Sequence, residues 1–236
     1  MNYENVTLCK LALASTMYDS LTPFNYSLAL LNSTTGGSID LTNPAHRIAL
    51  MKWLNDWGCR HLSEDQHEVA SHSILNWYQV DGASLFTNEK PLWELGDHEL
   101  EIAAHAYGSL KDKTGARRVR GGRKLEVHIG ATAASKILFA IRPKALMPWD
   151  EAMRISFECD GSPESYFEYL IEIRDLALHI RDLCMKKGFQ VDDLPQRLGR
   201  SKSTVLALVN EYIWVTVTRK VELPSSEVLT QWASLG

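Results

Sequence analysis

Apolar residues recur through most of this chain at the three-and-four spacing of helices, and the pattern predicts a nearly all-helical protein. Asn43-Pro44 supplies a cap and a first-turn proline, after which Leu50, Trp53, Leu54 and Trp57 mark one helix face up to Gly58. Residues 63–79 open on a serine cap, Ser63, with acids in the first turn, and close on the aromatic pair Trp77-Tyr78. A third helix is expected over 97–110, capped by Asp97. The longest runs from Ser162-Pro163 to Gly188. Its stripe of Tyr166, Leu170, Ile173, Ala177, Ile180 and Cys184 needs a partner surface along its whole length. Two more helices are expected near 201–217 and 225–234. The β-branched stretch 213–218 fits either a strand or a buried helix end, and 32–43 fits an N-terminal loop.

Size and composition set the class. With 236 residues, 45% hydrophobic and 23% charged, the chain is long enough for one large domain or two intimate lobes of an ordinary globular protein. No apolar run approaches 18 residues, and the N-terminus lacks the order of a signal peptide, so a cytoplasmic protein is expected. Cys9, Cys59, Cys159 and Cys184 are scattered singly. Without a CxxC pair they predict reduced, buried thiols and neither a zinc ribbon nor an iron–sulfur loop. His61, His67 and His72 stand at gaps that do not align ligands on one helix face, so no metal is expected there.

The net charge of −4 argues against indiscriminate coating of nucleic acid, but the charge is unevenly placed. Lys111, Lys113, Arg117, Arg118, Arg120, Arg123 and Lys124 face one acid, Asp112, over fourteen residues. Gly115, Gly121 and Gly122 interrupt the run, which reads as a mobile basic loop suited to phosphate. Immediately after it comes Ile129-Gly-Ala-Thr-Ala-Ala-Ser-Lys136. There a glycine opens a strongly apolar helix whose only charge before Arg142 is Lys136. Amides exposed at such a start attract an anion. Pro143 ends that helix and Pro148 fixes an extended approach, which makes Asp150 the N-cap of a helix over 151–158. Most aspartates so placed merely cap, and a lysine in an apolar helix often snorkels to solvent.

The order of hairpin glycine, apolar helix, Pro-x-Asp and a further helix resembles the helix-hairpin-helix DNA glycosylases, especially the oxoguanine-glycosylase-like branch. The likeness covers about residues 125–155. It implies an all-α, two-lobed fold with a cleft between lobes. Residues 1–80 would form an N-terminal helical lobe packing with the C-terminal helices. Residues 81–160 would form the hairpin lobe, with the helix-hairpin-helix near 122–142, and 161–236 would complete the cleft. The resemblance further implies an enzyme, acting as a monomer and without a cofactor. It would flip a modified or damaged base out of double-stranded DNA and hydrolyse its N-glycosidic bond, leaving an abasic site. Asp150 matches the family's catalytic aspartate. Family lysines that attack the sugar lie two residues past the hairpin glycine, where this chain has Thr132, so Lys136 is expected at the catalytic site with lyase chemistry left open. The family's second glycine is replaced by His128.

On this reading Gly130, Ala131 and Thr132 grip phosphate with Arg117, Arg118, Arg120, Arg123 and Lys124. The extruded base would meet Trp149, Trp77, Tyr78, Tyr212 or Trp214, with the last two favoured because the C-terminal helices of the resembled fold line the cleft. The chain lacks the full motif set of the housekeeping branches, which points to a specialised target such as a modified base in foreign (phage) DNA. Two rival readings stand beside it. Residues 193–209 look like a helix-turn-helix, which would make the protein a non-catalytic transcriptional regulator reading DNA through Arg200 and Lys202. A glycosylase-like fold that senses a DNA feature without cutting is the other.

Overall fold

The computed structural model describes residues 5–62, 64–86, 89–120 and 122–234; the side chains of Glu64, Phe86, Arg120, Lys124 and Ala233 also fall outside the description, as does the predicted cap Ser63. The protein is mostly helical, with one small two-stranded sheet. Among the described residues no helix is long and apolar enough to cross a membrane.

Two helices precede anything the periodicity reveals: α1 (Leu8–Leu21), capped by Thr7, and α2 (Phe24–Thr35). Then come α3 (Pro44–Asp56) and α4 (His67–Val80), with Asn43 accepting from Ala45 N as expected. Next, α5 spans Asp97–Lys111. Its cap is Gly96 rather than Asp97, and the Glu99 carboxylate reaches back to accept from the Gly96 amide at 2.9 Å, the half of a capping box that a glycine allows.

The basic run is not a mobile loop. It pairs as the antiparallel strands β1 (Thr114–Arg120) and β2 (Arg123–His128), with Arg120 opposite Arg123 and Gly122 at φ +75° between them. The chain continues directly into α6 (Gly130–Ile141). The expected helix-hairpin-helix near 122–142 is therefore corrected: that interval is a strand and one helix. The helices that flank the hairpin are α5 and α6, which pack on each other.

After an extended segment follow the short α7 (Glu151–Ser156) and the 24-residue α8 (Pro163–Lys186), with Ser162 as cap. The predicted stripe on α8 is buried, and α5 is its main partner. The chain ends with α9 (Leu194–Arg197), α10 (Val205–Ile213) and α11 (Ser226–Ala233). The ambiguous stretch after α10 is neither strand nor ordinary helix end but a π-helical turn, Trp214–Thr218. Its α1 neighbour also lies along α10 and α11, so the chain's first helix closes against its last ones around one continuous apolar core.

Candidate functional site

At the start of α6 the backbone conformation demands glycine. Gly130 has φ +78°, and a Cβ there would meet no atom within 4 Å, so the space in front of it is open. No side chain caps this helix, and its first-turn amides keep the pull on an anion that a cap would quench. A cation that sequence reasoning did not single out stands beside it. Arg154, on α7, forms no ion pair among the described residues, and its Nε is buried without a partner. A Cβ on Gly161 would stand 3.1 Å from Arg154 Nη1 and 3.4 Å from the Ala131 Cβ, so the glycine (φ +88°) makes room for the guanidinium next to α6.

Asp150 is fixed from both sides. One carboxylate oxygen accepts from Met153 N at 2.8 Å as the cap of α7, and the other accepts from Thr218 Oγ1 at 2.8 Å, from the π-turn. The preceding Trp149 ties this cap to α6: its indole N–H donates to Ala131 O (3.2 Å) and its backbone N–H to Ser135 Oγ (3.2 Å). Tyr166 and Tyr169 of α8 donate to Met147 O and Pro148 O, each at 3.0 Å, and hold the extended approach. Trp149 itself is 1% exposed and packed edge-on to Tyr107 and Tyr166. It borders the site but positions Asp150, rather than offering a free ring to a base.

Lys136 does not snorkel. It is 8% exposed, and Nζ donates to Trp57 O at 2.5 Å with the Trp57 ring 5.7 Å away. Burial lowers its pKa, opposed by the nearby Cys59 thiol and the Asp150 carboxylate. It forms no direct ion pair with Asp150. Six residues of helix separate Gly130 from Lys136, about 9 Å along the axis at ~1.5 Å per residue.

Both groups line one pocket, of about 270 Å³ including its open side. Trp149 and Trp214, two of the five predicted base-pocket residues, also line it. Tyr212, Trp77 and Tyr78 do not. Tyr212 is 8% exposed on α10, and Trp77 is wholly buried, with its N–H donating to Ala106 O and Ser109 Oγ. In their place stand Tyr18, Phe24, Trp57 and Asn210. Phe24 lies 5.5 Å from Trp57 and 5.9 Å from Trp214, and Tyr18 meets Trp214 edge-on at 5.0 Å. No periodic signal marks Tyr18 or Phe24. Asn210, an amide inside the apolar run 205–213, is a legible anomaly.

Behind the pocket lies a second polar cluster. Glu211 is 1% exposed and receives Asn25 Nδ2 (2.9 Å), Arg200 Nη2 (2.6 Å) and the Ser15 hydroxyl, while Arg200 also reaches Asp19 at 2.6 Å. Burial pushes the Glu211 pKa up, and these partners oppose the shift. The helix-turn-helix expectation fails here. Every residue of α10 is buried, so it has no face to lay in a groove, and Arg200 is engaged inside the protein.

On the hairpin, Arg117, Arg118 and Arg123 are exposed, with Arg117 3.4 Å from Glu126; the side chains of Arg120 and Lys124 lie outside the described residues. The three histidines point to separate backbone carbonyls: His61 to Ile129, His67 to Leu62 and His72 to Glu68. Among the described residues no cluster of three or more His, Cys, Asp or Glu is arranged for a metal. Cys9 is exposed and Cys159 half-buried, against the expectation of four buried thiols. Comparison with protein-family models, with curated proteins and with solved structures finds no match for the chain.

Proposed function

We propose that this protein is a DNA glycosylase built on a two-lobed, helix-hairpin-helix-like plan, with a β-hairpin as the connection between α5 and α6. One observation carries the reading: the lone amine of α6 and the fixed carboxylate capping α7 line the same aromatic pocket, beside the middle of a helix whose start is open to an anion. The exposed arginines of the hairpin, the α6 amides and Arg154 would take the phosphates of the strand. An extruded base would enter the pocket between Phe24, Trp57 and Trp214.

As the N-glycosidic bond lengthens, positive charge develops on the sugar, and Asp150, held by Met153 N and Thr218, is placed to stabilise it. Water then adds its oxygen to C1′ and gives up a proton, which the departed base takes up. The base leaves carrying the electron pair of the broken bond. Burial lowers the pKa of Lys136, which favours the free amine. It would assist at the sugar or attack C1′ itself. A modified base in foreign DNA is the proposed target.

The decisive variant is Asp150→Asn, which keeps the size of the cap. Incubated with DNAs carrying ordinary, damaged or hypermodified bases, the wild type is expected to release a base and leave alkali-labile sites. The variant should bind the same DNA and lose release by two or more orders of magnitude. Equal release by the variant removes the mechanism.

A further inference from the structure

The ribbon of β1 and β2 is seated firmly at its base and bare towards its tip. Ala116 is fully buried, and a Cβ on Gly115 would stand 2.9 Å from a Leu62 methyl and 3.2 Å from the Ile129 backbone, so the first rungs press against the body. Arg117 N donates to Gln66 Oε1 at 2.7 Å and ties the outer edge of β1 down. Beyond that tie Val119 is 72% exposed and Leu125 45% exposed. The register puts these two on opposite faces, each in the company of arginine. Arg118 pairs with Leu125, and Arg123 shares their face; Arg117 shares the other with Val119 and Glu126. Arg117 answers Glu126 at 3.4 Å, while Arg118 and Arg123 form no ion pair among the described residues.

A ribbon lying flat on one strand of DNA would need cations on one face only. Cations on both faces suit a ribbon standing between two rows of phosphate, as in a groove of the duplex. Thickness chooses the groove. With side chains on both faces a ribbon is roughly 10 Å thick, which the major groove, about 12 Å wide, admits and the minor groove, about 6 Å wide, does not. Four residues from Ala116 to Arg120 extend about 13 Å at ~3.3 Å each, more than the ~8.5 Å depth of the major groove. We infer that this ribbon enters the major groove of duplex DNA, with its arginines on the phosphates of both strands and Val119 and Leu125 against base edges and thymine methyls. The inference rests on the base-excision reading for its partner and deepens it, from phosphate contact alone to a prong that needs a duplex.

The full-length protein is titrated into a labelled A·T-rich duplex and into one of its single strands. Methyl green then competes for the major groove and netropsin for the minor. Methyl green is expected to displace the protein and netropsin to leave it bound. Val119→Ala combined with Leu125→Ala removes apolar contact and should weaken duplex binding about tenfold or more. It should leave single-strand binding as it is, since a single strand has no groove. The slope of log affinity against log salt should hold, because no phosphate contact is lost. Both side chains are exposed, so the melting temperature should stay near that of the wild type; the competition needs no variant and decides even where the substituted ribbon fails to form. Displacement by netropsin alone, duplex binding undiminished in the double substitution, or polyglutamate bound as tightly as duplex, the mark of an acidic protein partner, overturns the assignment. Entry into the groove without base release from any DNA leaves the ribbon standing and removes the enzyme. Base release that neither methyl green nor the double substitution alters does the reverse.

Discussion

At the scale of one residue, Lys136 sets the proposed chemistry against stability. Its charge is kept from water, with the Trp57 carbonyl as its hydrogen-bond partner among the described residues. Because folding lowers its pKa, the unfolded chain binds more protons between that lowered value and 10.5, and this residue's contribution to stability rises with pH across that window. Lys136→Met removes the desolvation cost and should raise stability by about 1 kcal/mol, or ~2–4 °C in Tm for a chain of this size. It should also flatten the pH dependence above neutrality. A melting temperature many degrees lower would mean that the lysine is structural. If the amine attacks sugar, borohydride trapping on abasic DNA should reach half its plateau at a pH below that of an ordinary lysine. Failure to trap at any pH makes the enzyme monofunctional.

At the scale of elements, the hairpin and α10 respond to substitution in opposite ways. Arg117, Arg118 and Arg123 extend from a ribbon, so replacing all three with alanine should leave folding intact. It should weaken DNA binding and lower the slope of log affinity against log salt by up to ~3, at roughly 0.9 for each phosphate no longer neutralised. An unchanged slope would exclude the hairpin from the DNA interface. Arg200 is the contrast. Arg200→Ala leaves the carboxylate of Glu211 buried without its cation and should cost about 3 kcal/mol or more in denaturant unfolding, while the exposed Lys202→Ala costs close to nothing. Sequence-specific DNA footprints that vanish with both substitutions, at unchanged stability, would restore the regulator reading.

These elements also mark how far the sequence is legible. Helices α3 and α8 are readable because caps and a buried stripe agree with one period, whereas α4 begins at His67 with no side-chain cap. The ribbon is hard to read because Gly121-Gly122 fits a flexible loop, although paired glycines between alternating residues are also the mark of a tight hairpin. The π-turn is ambiguous because β-branched residues suit strands and buried helices alike. Its actual form answers to tertiary demands, placing Thr218 on Asp150 and Trp214 on the pocket.

For the whole molecule, the pocket is a product of distant pairing. Asp150 and Lys136 come from adjacent segments and can be foreseen from a motif. Tyr18 and Phe24 belong to α1 and α2, and Trp214 belongs to the far end of the chain. Only the packing of α1 against α10 and the π-turn brings these rings together, and no local pattern encodes that meeting. The residues that can be anticipated carry the proposed chemistry, and those that cannot shape what enters.

The carbonyl that Lys136 holds ends a helix. Trp57 is the C-terminal cap of α3, where a positive charge is favoured, and its ring forms a wall of the site. The ammonium thus ties α6 to the end of α3. On the proposed function the amine would have to let go of α3 to reach a sugar, while the Trp57 indole stays tied to Phe24 O and Ser27 Oγ, each at 3.1 Å. Binding of such a substrate would take the ammonium off the Trp57 carbonyl and ring, and Trp57 fluorescence would register it before any bond is broken.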